Sequence, residues 1–115
     1  DLAWLSADQL LLTVTWQAQQ GGLPDYSVAV HLVAQDPPTG PQDILAQADS
    51  THPVNGWYPT SRWQPGELVT DHFLLSVPGG SAPQAVRVGM YQSLPDGSFQ
   101  NTAWLSLAVP ERPLP

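Results

Sequence analysis

The sequence predicts an all-β protein: an immunoglobulin-like, two-sheet antiparallel β-sandwich of about seven strands. Three observations predict it. Apolar and polar residues alternate with period two in segment after segment. Proline and glycine, 13 and 9 of 115 residues, break the chain between those segments. No segment carries a helical period. This length is one domain's worth, so residues 1–115 are read as a single sandwich domain.

The elements follow in order. Leu10, Leu12, Val14, Trp16 and Ala18 share one parity, with Thr13, Thr15 and Gln17 on the other. That is a half-buried strand. The cluster Gln20-Gly21-Gly22-Leu23-Pro24-Asp25 is a turn. Tyr26, Val28, Val30 and Leu32 then alternate with Ser27, Ala29 and His31, a second strand. Asp36-Pro37-Pro38-Thr39-Gly40-Pro41 cannot supply a ladder of donors and is loop. Ile44 to Asp49 is a short third strand. Residues 52–66 form a long loop rich in aromatics, and Glu67 to Val77 is strand again. Val86, Val88 and Met90 alternate with Arg87, Gly89 and Tyr91. Pro95-Asp96-Gly97 marks a hairpin. Finally Ala103, Leu105, Leu107 and Val109 alternate with Trp104, Ser106 and Ala108.

Composition excludes several functions. There is no cysteine, hence no disulfide framework, thiolate zinc site or cysteine nucleophile. There is no lysine either, and the basic residues are Arg62, Arg87 and Arg112. Against ten acids this leaves a formal charge of −7. Such a surface repels phosphate backbones and anionic headgroups, so nucleic acid is not an expected partner. No apolar run reaches the roughly 18 residues of a membrane helix. The chain opens at Asp1 and closes on Pro113-Leu114-Pro115, and reads as a domain excised from a larger protein.

Candidate chemistry is sparse. His31, His52 and His72 show no HExxH or other close metal-ligand spacing, so neither metal nor cofactor is expected. His31, Asp49 and His52 approach one another only if their strands pair; otherwise His31 bonds locally on a sheet face. No GxSxG elbow is present. Asp49 and Asp71 are the interior acids by pattern. A buried acid must be hydrogen-bonded or paired. Asp71 is expected to accept from the Thr60-to-Trp63 backbone or to pair with Arg62, and His31, Asp49 and Asp71 are read as structural anchors of the loop. A hydrolase built on Asp49 and Asp71 is the least favoured alternative.

The loop itself is more pointed. Trp57, Tyr58 and Trp63 stand among Asn55, Arg62 and Gln64. Exposed rings beside amide and guanidinium groups can bind sugar, the rings taking CH faces and the polar groups the hydroxyls. Trp57, Tyr58, Arg62 and Trp63 are therefore the candidate ligand residues. The competing reading folds the loop back as a cap, its tryptophans closing one end of the sandwich.

One string is more specific than the strands. It comprises His31-Leu32, Gln47-Ala48-Asp49-Ser50, Pro53, Gly56, Tyr58-Pro59-Thr60-Ser61, Trp63-Gln64-Pro65-Gly66-Glu67 and Val69-Thr70-Asp71. With Trp16-Gln17-Ala18 and Val88-Gly89-Met90-Tyr91 it resembles, over residues 8 to 92, the soluble C-terminal module of bacterial, Chloroflexi-type multi-spanning membrane proteins. Those parents are similar to glycosyltransferases of the dolichyl-phosphate-mannose–protein mannosyltransferase class. The chain departs from the pattern in a Pro-rich insert at 36–43 and in lacking part of a first strand.

The resemblance implies a non-catalytic accessory domain on the outer, extracytoplasmic face of the cytoplasmic membrane. Its partners would be the transmembrane portion of its own parent chain and a glycan or polyprenyl-linked sugar acceptor. The parent would transfer sugar; no catalytic residue carries over to this domain. Two alternatives remain: a carbohydrate-binding module using Trp57, Tyr58 and Trp63, and a structural or adhesive sandwich that pairs through sheet edges or an aromatic patch.

Overall fold

The computed structural model describes residues 1–114. The chain is all-β, with strands β1 (Leu2–Ser6), β2 (Gln9–Gln17), β3 (Ser27–Val33), β4 (Ile44–Gln47), β5 (Leu68–Ser76), β6 (Ala85–Ser93), β7 (Phe99–Asn101) and β8 (Leu105–Ala108). Two 3-10 turns, Pro41–Asp43 and Thr60–Arg62, interrupt the loops. Among the described residues, no helix is long and apolar enough to cross a membrane.

The strands form two antiparallel sheets. One has the order β1-β2-β5; in the other β4-β3-β6 is extended by β7 and β8, which both pair with β6. β2 and β5 pair along their full lengths, placing Leu10 opposite Leu75, Leu12 opposite Phe73 and Val14 opposite Asp71. Their apolar parity meets Val28, Val30 and Leu32 of β3 and Val86 and Val88 of β6 in one core. Period two in the sequence is therefore translated directly into an inner and an outer face.

Two elements differ from the sequence expectation. The first strand is present, pairing Leu2 with Leu12 and Trp4 with Leu10. Leu2 and Trp4 pack on the core while Ala3 and Leu5 face out. Five residues are too few for alternation to stand out, and β2 supplies the pairing that makes them a strand. The C-terminal segment is broken in two. β8 pairs with Ala85 to Val88, β7 with Tyr91 to Ser93, and Thr102 between them bonds to Met90 through backbone and hydroxyl. Leu107 and Val109 reach the core as their parity predicts, but Leu105 is exposed. Trp104 lies across Gly89, where a Cβ would come within 3.2 Å of its ring. A Cβ there would push the indole back from the sheet by a few tenths of an ångström.

Candidate functional site

The 52–66 loop starts with a backbone feature that the sequence does not announce. Val54, Asn55 and Gly56 have φ of 57°, 53° and 88°. The turn is closed by Gly56 N–H to His52 O and Tyr58 N–H to Pro53 O, at 2.9 and 3.0 Å. A left-handed conformation suits Gly56, is tolerated by asparagine and is strained for a β-branched valine.

Asp71 holds that turn. Its side chain is 1% exposed, on the inner face of β5. Its Oδ2 accepts from Val54 N at 3.0 Å and its Oδ1 from His72 N at 3.0 Å. The expected partners were the Thr60-to-Trp63 backbone or Arg62. The structure assigns the carboxylate instead to the start of the loop, because the register with Val14 carries it under Val54 rather than under the 3-10 turn.

The second half of the loop is held by four further clamps. Tyr58 Oη donates to both oxygens of Glu67 at 2.9 Å, and Gln64 N donates to Oε1 at 2.9 Å. The Glu67 hydrogen bond, with some burial and the carboxylate charge, pushes the Tyr58 hydroxyl above its usual range. Trp63 Nε1 donates to Tyr58 O at 3.1 Å. Thr60 is buried, and its hydroxyl donates to Pro24 O while accepting from Tyr26 N. Asp25 accepts from Ser61 N at 3.1 Å, and the hydrogen bonds from Ser61 keep its carboxyl below the usual range. His52 and Arg62 reinforce that shift by their charge.

These clamps separate the predicted ligand residues. Trp63 is 4% exposed and joins Ala18 and Val69 in a second small core. Tyr58 is half-buried, its ring 6.2 Å from Trp63 at 38°. Arg62 is exposed at the end of the 3-10 turn. Trp57 is 84% exposed. The three rings therefore do not form one flat platform. Trp63 closes the sandwich and Trp57 alone projects.

The other two anchors lie elsewhere. Asp49 is not interior, for its side chain is 39% exposed. It accepts from Val30 N at 3.0 Å and lies 3.8 Å from His31 Nε2. Ala48 and Ser50 bond to β3 through their backbones, and the Asp49 side chain takes the Val30 N–H left between them. That local break in pairing turns it off the inner parity. His31 also faces Trp104, ring centroids 5.3 Å apart, and Arg87 lies over the same indole at 4.9 Å with Asp36 3.6 Å from its Nε. Sequence reasoning missed this outer-face cluster, although the register His31–Arg87–Ser106 follows from parity once strand order is known.

Among the described residues, no group of three histidine or acidic side chains is placed to hold a metal ion. Asp25, Asp71 and Glu67 all accept from backbone N–H groups of the loop or its neighbours. The arrangement can hold a surface rigidly.

No family model, curated protein or solved structure matches this chain.

Beside the loop lies a cleft of about 270 Å³ at the end of the sandwich. Trp16, Tyr26, Trp63, Leu23 and Met90 form its walls. A larger and more open groove of about 940 Å³ runs between the β1–β2 turn and the C-terminal tail.

Proposed function

We propose that this chain is a non-catalytic accessory domain of a membrane glycosyltransferase, an immunoglobulin-like sandwich on the outer face of the cytoplasmic membrane that contacts acceptor or glycan. The resemblance of the Tyr58-to-Asp71 string motivates the parent. The strand order β1-β2-β5 against β4-β3-β6 supports the immunoglobulin-like reading, since it splits the strands as such sandwiches do. One observation carries the contact role. The Val54-Asn55-Gly56 turn is strained, is fixed by a buried carboxylate, and carries the most exposed tryptophan of the loop directly after it. Strain of about 1–3 kcal/mol per residue persists where the surroundings over-determine it, and it clusters at contact sites. The acids that flank the loop, Asp25, Glu67 and Asp71, are engaged in holding it, which favours binding over chemistry.

Two measurements test this. In the full-length protein, deleting the domain is expected to lower sugar transfer or alter acceptor choice. Unchanged transfer, acceptor choice and parent stability would sink the proposal. In the isolated domain, Trp57→Ala is expected to shift stability by less than about 0.5 kcal/mol, while Trp63→Ala costs about 3–5 kcal/mol. Urea unfolding reads both. Equal losses would mean that Trp57 is part of the cap and no contact residue.

A further inference from the structure

A sheet edge exposes a row of unpaired N–H and C=O groups to which another strand can add. Most edges of this sandwich are poor templates. β1 has five residues and a register shift, β4 has four residues, and β7 and β8 have three and four. β5 is the exception. It runs for nine residues in unbroken register, pairs with β2 alone, and contains neither proline nor lysine.

The direction of its backbone follows from β2. Asp1 N donates to Thr13 O and Thr13 N donates to Asp1 O, both at 2.8 Å, so the Thr13 backbone faces β1. Backbone groups alternate in direction along an antiparallel strand. Leu12 and Val14 therefore face β5, and their partners Phe73 and Asp71 face back. Leu68, Thr70, His72, Leu74 and Ser76 consequently aim their N–H and C=O groups off the edge of the sheet. The side chains of these five are exposed, and none is an acid, a lysine or an arginine. In a chain of net charge −7, this strip meets no like charge on the same strip of a second copy.

One of the five N–H groups is already taken. His72 N, at the middle of the row, donates to Asp71 Oδ1 at 3.0 Å, and Oδ2 of the same carboxylate accepts from Val54 N at 3.0 Å. A single side chain thus caps the central edge donor and staples the Val54 turn beside it. A strand added here would displace that carboxylate from its donor while it is 1% exposed. An inward-pointing charge is one of the ways native proteins blunt an edge. Directly after it, His72 to Val77 is six residues without an acid, lysine, arginine or proline, a window that a flanking acid keeps from pairing. We infer that Asp71 guards the β5 edge, and that the partner it excludes is the β5 strand of a second copy. Pairing of β5 with itself about a two-fold axis is antiparallel, and joins two three-stranded sheets into one of six strands. Such an interface is closed, so association stops at the dimer. The guard is independent of the accessory-domain reading.

Size exclusion with light scattering at about 0.1 mM protein reads the mass. Wild type is expected to be monomeric, and Asp71→Ala to double in mass. Asp71→Ala also loosens the fold. Leu32→Ala, which empties part of the core from the opposite sheet, is therefore the destabilised control and is expected to stay monomeric. Adding Leu74→Pro to Asp71→Ala removes an edge donor that takes no part in pairing with β2, and is expected to restore the monomer. Amide hydrogen exchange reads the guard in wild type and holds even where a variant does not fold. His72 is expected to exchange about 10-fold or more slowly than Thr70 and Leu74, whose N–H groups face water. A wild type that dimerises, a monomeric Asp71→Ala, or equal exchange at the three amides overturns the inference. A dimer of Leu32→Ala overturns it by making lost stability the cause. A double variant that stays dimeric overturns it by placing the contact off this edge.

Discussion

Asp71 shows how one residue can set the shape of a loop. Its neighbours on the inner parity of β5 are Val69 and Phe73, and a carboxylate there loses nearly all its water. Two backbone N–H groups replace that water. One belongs to its own strand; the other belongs to Val54, whose φ of 57° is unfavourable for valine. Removing the carboxylate would leave a buried donor and release the turn together. Asp71→Ala is therefore expected to cost about 2–4 kcal/mol in urea unfolding, a large share of the roughly 5–15 kcal/mol available to a small domain. Asp71→Asn keeps one acceptor but turns an amide group toward the second donor, and should fall between wild type and alanine. A loss below about 0.5 kcal/mol for Asp71→Ala would show that the turn holds without its anchor.

At the scale of elements, the C-terminal tail is tied down by a cation that donates to three backbone carbonyls. Arg112 donates to Ala7 O at 2.7 Å, Ser81 O at 2.9 Å and Pro78 O at 3.3 Å. It also lies over the Trp4 ring at 5.4 Å, and Trp4 Nε1 donates to Pro110 O at 2.9 Å. One guanidinium thus joins the tail, the β1–β2 turn and the β5–β6 loop. Planar, fixed donors suit three separate carbonyls in a way an ammonium does not. Arg112→Ala is expected to destabilise the domain by about 1–2 kcal/mol, and Arg112→Lys by nearly as much. Hydrogen exchange should rise first at the Trp4 indole. Unchanged protection there would mean that β1 is held by its pairing with β2 alone.

At the scale of the whole molecule, charge and local hydrogen bonds pull stability in opposite directions with pH. The net charge of −7 at pH 7 repels itself, and the repulsion fades toward the pI near 4.3. Asp25, Asp43 and Asp96 have carboxyls held below their ordinary value of 3.8, chiefly by hydrogen bonds from Ser61, Thr39 and Ser98 respectively. A depressed carboxyl stabilises the fold above its unfolded value, and that contribution is lost as pH falls through the folded value. The melting temperature is therefore expected to rise from pH 7 to about pH 5 and to fall below about pH 4. Added salt should raise it at pH 7 and matter less near pH 5, because screening acts on the net repulsion. A melting temperature that falls steadily from pH 7 to 5 would contradict this account.

The sequence by itself determined the fold class, the main core and the charge character. Period-two alternation needs no tertiary information, since a strand has only two faces; β2, β3, β5 and β6 carry their predicted inner residues to the core. The sequence also marked the 52–66 loop as the distinctive segment and Asp71 as a residue needing a partner. Only the tertiary structure decided which partner. Register, set by pairing across the whole of β2 and β5, placed Asp71 under Val54 rather than Arg62. It decided likewise that Trp63 is core and Trp57 is surface, a distinction that two tryptophans six positions apart in a loop cannot carry in their identity. It turned Asp49 outward through a local break in β3–β4 pairing. The cleft of Trp16, Tyr26 and Trp63 joins three separate stretches of chain, so no periodicity could reveal it. Alternation is a property of neighbours along the chain; a site is a property of neighbours across it, and only packing brings those together.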